Sequence, residues 1–183
     1  MARKETITKK DISEAAFDLV CEEGIGNLTA RKLASKIGCS TQPLFRVYHN
    51  MDELTLEFYE KAKKYFGDFY KAFPKIENLP FIDLGLAYIN FAQKEPNLFQ
   101  ALFLTNERFS NSLYDLLNGA GGAVVKEISK AKEFGCQDPG GLFMKMWIFI
   151  HGAACMVITG DYDLNKDQTK ELLFTAYYGF IGK

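Results

Sequence analysis

Residues 28–48, LTARKLASKIGCSTQPLFRVY, carry the signals of two short helices joined by a tight turn. Thr29 is a favoured N-cap residue for the first helix, and Gly38 is favoured where a helix ends. The Ser-Thr pair at 40–41 can cap a second helix, which we expect to run to about Tyr48. This order predicts a helix-turn-helix, although any hairpin of two helices shares part of the pattern.

The same stretch can form a small core beneath a polar outer face. Ala34 is small, so the two helices can cross closely. The apolar side chains predicted to supply the core are Leu33, Ile37 and Leu44. The polar side chains left for the outer face are Thr41, Gln42 and Arg46. Such side chains can contact bases and phosphates when the second helix lies in a DNA major groove.

Further helices flank this stretch on both sides. Thr8 and Asp11 have the spacing of a capping box, and Gly24 is placed to end the helix that they begin. One apolar face of that helix is formed by Ile12, Ala15, Ala16, Leu19 and Val20. After the stretch, the Asn50-Met-Asp-Glu53 segment predicts the start of a long fourth helix towards Phe73.

Taken together, residues 6–60 resemble the DNA-binding domain of the TetR family of bacterial transcriptional regulators. The positions that carry the resemblance are Ala16, Gly24, Thr29, Ala34, Gly38, Ser40, Leu44-Phe45, Tyr48 and Glu53-Leu54. Two positions depart from the family pattern, which often has Lys where this chain has Met51 and more commonly has Tyr where it has Phe45. These departures bear on which operator is bound.

The resemblance implies double-stranded operator DNA as a partner and assigns roles to single residues. Thr29 and Tyr48 are the expected phosphate contacts, which position the domain without reading sequence. The expected base contacts come from Thr41, Gln42 and Arg46, since Gln can pair with adenine and Arg with guanine. The remaining members of the predicted set are Pro43, Leu44 and His49, and His49 either neighbours the phosphates or belongs to a turn.

Composition limits any nucleic-acid site to a local one. The 183 residues carry a formal net charge of −1, so no uniform positive field attracts DNA or anionic lipid. Residues 1–50 hold 8 Lys and Arg against 6 Asp and Glu, whereas residues 51–183 hold 14 against 17. The basic residues nearest the N-terminus could form an arm that neutralises phosphates or a solvated tail: Arg3, Lys4, Lys9 and Lys10.

The cysteines favour a reducing, cytoplasmic setting with free buried thiols. No pair has CxxC spacing, and no secretory leader precedes the first polar helix. The four cysteines are Cys21, Cys39, Cys136 and Cys155. We expect no catalytic residues, no cofactor and no metal site.

The remainder of the chain continues in helical periods, which predicts an all-α protein of about nine helices. Helices are expected from Pro80 to Lys94, from Pro96 to Leu104, and over 107–133 as one helix interrupted at 119–122 or as two. The last two begin at the Asp138-Pro139 cap and at Lys166. We place the DNA-binding domain at 1–50, with the start of the fourth helix to about 60, and a helical effector-binding and dimerisation domain at 51–183.

The segment from Leu142 to Thr159 is apolar on all sides. A membrane span is one alternative, but Lys145 and His151 would then lie in hydrocarbon, so we expect no membrane partner. A helix of this kind in a soluble protein needs burial on both faces. By resemblance, the family pairs its last two helices into a four-helix bundle between subunits, which implies a homodimer. The pattern Trp147…His151-Gly152 also resembles one C-terminal subgroup of the family.

The family resemblance further implies a cavity in the C-terminal domain for an unknown small apolar or amphipathic effector. Aromatic and Met side chains at helical spacing are candidates to line it, although such residues are more often simple core. The candidate ligand-binding residues are Tyr88, Phe91, Phe99, Phe103, Tyr114, Met144, Trp147 and His151. The sequence therefore predicts a ligand-responsive, homodimeric repressor, and the alternative is an all-α enzyme or a membrane-associated protein that uses the apolar domain directly.

Overall fold

A computed structural model describes residues 7–105, 112–119 and 122–182, and confirms the all-α class. The regular elements of these residues are helical. The helices are α1 Lys9–Glu23, α2 Ala30–Ile37, α3 Leu44–Val47, α4 Met51–Ala72, α5 Ile82–Lys94, α6 Pro96–Phe99, α7 Leu113–Asn118, α8 Ala123–Glu133, α9 Pro139–Thr159 and α10 Lys166–Ile181. A 3₁₀ turn covers Ile25–Asn27, and a π-helical turn covers Gln100–Leu104.

The helix boundaries in the first fifty residues follow local capping chemistry. The Thr8 hydroxyl accepts a hydrogen bond from the Asp11 N–H at 3.2 Å, and the Asp11 carboxylate accepts one from the Thr8 N–H at 2.8 Å. Thr29 caps α2 by accepting from the Lys32 N–H at 3.3 Å. Gly38 ends α2 with a φ of +77°, a left-handed conformation that strongly favours glycine. These caps confirm the predicted start of α1 and both ends of α2.

The third helix is shorter than predicted, and no side chain caps it. Pro43 immediately precedes α3 and lacks an N–H group, so it cannot contribute a backbone donor to this turn. The first turn is instead closed by the Leu44 N–H, which donates to the Thr41 carbonyl at 3.1 Å. Tyr48 has extended backbone angles and ends the helix.

The later helix starts confirm one further prediction, correct a second and decide a third that the sequence left open. Asp138 caps α9 with Pro139 in its first turn, as predicted. α5 begins at Ile82 and not at Pro80, because Phe81 takes a left-handed φ of +67° before it. Two helices, α7 and α8, occupy the segment that was predicted as one or two. Residues 106–111 and 120–121 of that segment lie outside the described residues.

The chain forms two compact units. The described part of the first comprises residues 7–64 and 97–105, and that of the second comprises 65–96, 112–119 and 122–182. α6 returns to the first unit, where the Asn97 amide donates to the Cys21 carbonyl at 2.8 Å. The division between the units therefore falls inside α4, while the functional boundary near residues 50–60 stays a prediction.

In the second unit, α5 packs closely against α9 and α10 at a glycine. A Cβ atom built on Gly85 would lie 2.9 Å from the Ile150 Cδ1 atom and 3.1 Å from the Leu173 Cδ1 atom. Because buried side chains on both neighbouring helices meet the α5 backbone here, a methyl group fits at this position only if the ends of the Ile150 and Leu173 side chains shift. The contact brings α5 into close approach with both α9 and α10.

Gly85→Ala is expected to lower the free energy of unfolding by about 1–3 kcal/mol, because the added methyl overpacks the contact. Gly67→Ala is the matched control: Gly67 also lies within a helix, but no atom lies within 4 Å of its built Cβ. That control should be neutral or gain up to about 1 kcal/mol from helix propensity. Chemical denaturation of both variants is the measurement. An equal increase in the free energy of unfolding for the two would show that the side chains around Gly85 move aside at no cost.

Candidate functional site

A small apolar core supports the inner side of the helix-turn-helix. Leu33 and Ala34 of α2 and Leu44 of α3 are all buried in the first unit. Ala34 is thus an inward-facing small residue, as its size predicted. Because the Leu44 side chain packs into this core, it stabilises α3 and is not accessible for contact with DNA.

The outer side of α3 and of the turn before it is polar and open. Thr41, Gln42 and Arg46 are exposed, as the proposed base contacts need to be. Phe45 is 48% exposed beside them, which places a large apolar side chain on the same outer surface. Arg46 forms no ion pair with any described residue, so its guanidinium is available to an external anion.

Two of the three basic side chains of α2 are paired with carboxylates of the described chain, and the third is not. The ammonium groups of Lys32 and Lys36 form ion pairs of 2.6 Å with Glu23 and Glu22. Arg31 is exposed on α2 and, within the described part of the chain, forms no such pair. Arg31 was not among the predicted site residues, because sequence alone does not show which cations of α2 are paired.

Three predicted contacts lie at helix ends or turns. Thr29 is exposed and uses its hydroxyl to cap α2. Pro43 is half-buried and is the N-cap residue that immediately precedes α3. His49 is exposed, and its N–H donates to the Glu53 carboxylate at 2.8 Å, while the Glu53 N–H donates to the Asn50 side chain at 2.9 Å. These two hydrogen bonds hold the backbone of residues 49–53 in place where α4 begins.

Tyr48, a predicted phosphate contact, is 2% exposed. Its hydroxyl is buried without a hydrogen-bond partner among the described residues. Burial, together with the nearby Glu57 carboxylate, raises the pKa of Tyr48. The Lys9 ammonium lies 5.0 Å from the centre of the Tyr48 ring and 2.9 Å from the Glu57 carboxylate. The ring therefore packs inside the first unit, where its hydroxyl is covered.

The proposed basic arm also loses part of its free charge. Lys9 is the first residue of α1 and is paired with Glu57, and Lys10 lies 3.7 Å from the Glu14 carboxylate. Arg3 and Lys4 lie outside the described residues. Positive charge for a nucleic-acid contact is thus best placed in the described chain at Arg31 and Arg46.

In the second unit, several of the predicted ligand-binding residues form an aromatic cluster between α5 and α9. The hydroxyl of Tyr88 is 3.0 Å from His151 Nδ1, so the two groups predicted as polar anchors are hydrogen-bonded to each other. The Trp147 ring lies 5.0 Å from that of Tyr88, and Phe66 packs edge-on against both Tyr88 and Phe91. Tyr88 and Phe91 are fully buried, so these rings act as packed core.

The other predicted ligand-binding residues lie elsewhere. Phe99 and Phe103 are buried in the first unit, where their rings pack 5.1 Å apart. Tyr114 and Met144 are exposed large side chains of the second unit. The structure therefore does not gather the eight candidates around one site.

The cysteines and acidic residues offer no metal site in the part of the chain that the structure describes. The four cysteines form no disulfide and are half-buried rather than fully buried. Burial raises the pKa of Cys155, which disfavours its thiolate.

A cavity of about 360 Å³ opens elsewhere in the second unit. It lies between one face of α5, the residue that follows α4, and the first turn of α10 with the loop before it. Its lining residues are Phe73, Leu86, Ile89, Asn90, Gln93, Leu164, Asn165, Lys166 and Thr169. None of the residues predicted to bind a ligand is among them.

Residues 81–177 match the family model described as the tetracyclin repressor-like C-terminal domain. This match covers more than half of the chain. The chain belongs to the TetR family. Residues 6–60 lie outside this match, and their resemblance to the DNA-binding domain of the same family rests on the sequence.

Solved structures of TetR-family proteins share this fold. A putative TetR-family transcriptional regulator from Vibrio parahaemolyticus has 19% identity and a TM-score of 0.66, covering 92% of this chain and 96% of its own. A TetR-like transcriptional regulator from Rhodococcus sp. RHA1 has 16% identity and a TM-score of 0.65, covering 96% of each chain. A TetR-family member from Streptomyces coelicolor has 14% identity and a TM-score of 0.62, covering 92% of this chain and 96% of its own. A search of curated proteins gave no significant match.

The outer surface of α3 in this TetR-family chain differs from the expected one in where its aromatic side chains lie. An aromatic ring without a hydroxyl, Phe45, is exposed there, while the tyrosine hydroxyl at residue 48 is buried. The sequence showed only that residue 45 lacks a hydroxyl, because Phe45 stands where the family more commonly has Tyr. The spacing alone did not show that residue 48 faces inward.

Proposed function

We propose that this TetR-family protein is a cytoplasmic, sequence-specific DNA-binding repressor that acts as a homodimer and responds to a small effector. The observation that carries the DNA-binding part is the surface of α3. Gln42 and Arg46 are exposed above a packed core, and Arg46 has no ionic partner among the described residues. These features support a recognition helix that enters the major groove.

The side chains of this surface have two proposed roles: some contact the bases and determine sequence preference, and others contact the phosphates and position the domain on DNA. Gln42 can form two hydrogen bonds with the edge of adenine, and Arg46 can form two with guanine. Arg31 and Thr29 lie on the helix before the turn, and phosphate contacts from such residues fix the register of the domain on the duplex. Phe45 has only apolar surface to offer, which suits contact with a thymine methyl group.

The dimer is supported by the exposed apolar surface of α9. Only 33% of the most apolar 18-residue window of this helix is buried within the protomer. The helix is long and apolar enough to cross a membrane by length and composition, but Lys145 interrupts its exposed surface with a charge. A second copy of the chain would cover the apolar surface and would also present two recognition helices to two half-sites of one operator.

The effector response requires two conformations with different affinities for DNA. A ligand releases the operator only if it binds the DNA-incompetent conformation more tightly, since equal affinity shifts nothing. A coupling of about 1–3 kcal/mol would change operator affinity by roughly 5–150-fold. Because the coupling is reciprocal, operator DNA would weaken effector binding by the same factor.

Selection of bound sequences from random duplex DNA tests the DNA-binding function. The purified protein should enrich a site with two half-sites, and its affinity should fall steeply as salt rises, because phosphate contacts release counterions. Failure to enrich any sequence at low salt would contradict the proposal.

Gln42→Ala is expected to relax base preference at one position of each half-site and to cost roughly 1–3 kcal/mol of binding free energy per contact. Gln100→Ala provides the matched control, since Gln100 is an exposed glutamine of the same unit outside the helix-turn-helix. Repeating the selection with both variants is the measurement. An enriched site unchanged by Gln42→Ala would exclude Gln42 as a base contact.

A further inference from the structure

The cavity beside α5 has one apolar wall and one polar wall. Leu86 and Ile89 are buried on α5 and form the apolar floor together with Phe73 and Leu164. Its volume of about 360 Å³ falls within the range of roughly 300–1,000 Å³ usual for small-molecule sites. The apolar floor favours a hydrocarbon portion of a ligand over water.

The polar wall carries unused hydrogen-bonding groups. Asn90 and Gln93 are one turn apart on α5, and the Asn90 amide donates weakly to the Gln93 carbonyl at 3.4 Å. This contact does not use the Asn90 carbonyl or the Gln93 amide, so both can form hydrogen bonds with an occupant. By contrast, Asn165 already caps α10, and the Thr169 hydroxyl is 2.8 Å from that of Tyr162.

Lys166 gives this wall its charge. It is the single ionisable residue among those that line the cavity, and it forms no ion pair with any described residue. Asp163 and Asp167 are near it in sequence, but neither lines the cavity. An ammonium group beside an apolar floor matches an anionic headgroup joined to a hydrocarbon chain, and a charge-assisted hydrogen bond would form between them.

From these walls we infer that the cavity binds a small amphipathic organic anion, with its carboxylate or similar group at Lys166 and its hydrocarbon part on Leu86 and Ile89. This inference rests on the proposed function in treating the occupant as the effector. It moves the effector site away from the Tyr88–His151 cluster, whose polar groups are already paired.

Calorimetric titration with three probes of equal chain length tests the charge preference. Octanoate, octanol and octylamine share one hydrocarbon chain and differ in the headgroup. Octanoate is expected to bind with 1:1 stoichiometry per protomer and at least about tenfold more tightly than octylamine, because only its headgroup complements Lys166. Equal affinities, tighter binding of octylamine, or no binding of octanoate at millimolar concentration would overturn the inference.

Two substitutions locate the site. Lys166→Gln should weaken octanoate binding by about tenfold and leave octanol binding unchanged. Lys126→Gln makes the same charge change at an exposed residue of α8 that does not line the cavity, and it should alter neither. Asn90→Trp should fill the cavity and abolish binding of octanoate and octanol. Equal effects of the two lysine changes, or full binding by a folded Asn90→Trp variant, would place the probes elsewhere.

The outcome is separable from the DNA-binding proposal. Operator selection and duplex affinity are measured without any probe, so they report only on the first unit and the dimer. Loss of octanoate binding with intact operator binding would overturn the cavity assignment alone. If octanoate binds as described and the protein enriches no DNA sequence, the cavity assignment stands and the repressor function fails.

Discussion

Ile148→Asp is expected to convert the protein from a dimer into a folded monomer and to abolish tight operator binding. Ile148 is 66% exposed in the protomer, and Met144 and Met156 are also exposed on α9. Met144 lies four residues before Ile148 and shares its face, and Met156 lies eight residues after it, about two turns further along, so the three form one apolar stripe that winds along the helix. An aspartate in the centre of a paired stripe would be buried without a partner in both subunits.

The expected effect is large because each buried, unpaired charge costs about 3–5 kcal/mol. The dimer dissociation constant should therefore rise by at least about a hundredfold, which sedimentation velocity at micromolar concentration can detect. Operator affinity should fall with it, because a monomer contacts a single half-site. Since Ile148 is open to solvent in the protomer, the fold of the monomer should survive, as circular dichroism can verify.

Val125→Asp is the control for this change. Val125 is another exposed apolar residue of the second unit, but it lies on α8, outside the stripe of α9. It should leave both the mass in solution and operator binding unchanged. A dimer that persists after Ile148→Asp, or that dissociates equally after Val125→Asp, would contradict an interface on this face of α9.

Tyr48 is the second position where a large effect is expected, and two substitutions there separate two roles. Tyr48→Ala should lower the free energy of unfolding by about 3–5 kcal/mol, because it removes a buried ring from the core of the first unit. Tyr48→Phe should leave stability unchanged or raise it by about 1 kcal/mol, because the lost hydroxyl is buried without a hydrogen bond. Operator affinity should be retained by Tyr48→Phe.

Chemical denaturation and duplex binding of both variants are the measurements. A phosphate contact through the hydroxyl would give the opposite pattern, in which Tyr48→Phe keeps its stability and loses affinity for all sequences alike. That result would show that the side chain leaves the core when DNA binds. Phe45→Tyr tests the complementary position, since it adds a hydroxyl to a ring that is already at the surface.

Local signals predicted the framework of the helix-turn-helix well. The caps at Thr8 and Thr29 and the left-handed glycine at residue 38 depend on chemistry within a few residues, so the sequence contains all that determines them. The inward position of Tyr48 depends on α1 and α4, which contribute Lys9 and Glu57 around it. No spacing rule within residues 28–48 contains that information.

The sequence predicted the helices of the second unit, but it did not predict which residues of that unit come together at a binding site. Helical spacing identified aromatic side chains correctly as inward-facing in many positions, yet it could not tell which compact unit would receive them. Phe99 and Phe103 went to the first unit because α6 and the turn after it return there. The cavity combines α5 with the loop at Leu164, more than seventy residues later, so only the folded chain brings its walls together.

Gly85 has a consequence for how this protein can diversify. A side chain at this position would have to displace the ends of Ile150 and Leu173, so the packing here favours a close approach of α5 to α9 and α10. The cavity residues Asn90 and Gln93 project from the same anchored helix and are not fully buried. If the proposed functions hold, exchanges at those two positions would alter the ligand preference of the cavity without changing this helix contact, so the proposed effector specificity could change independently of the proposed dimer and operator.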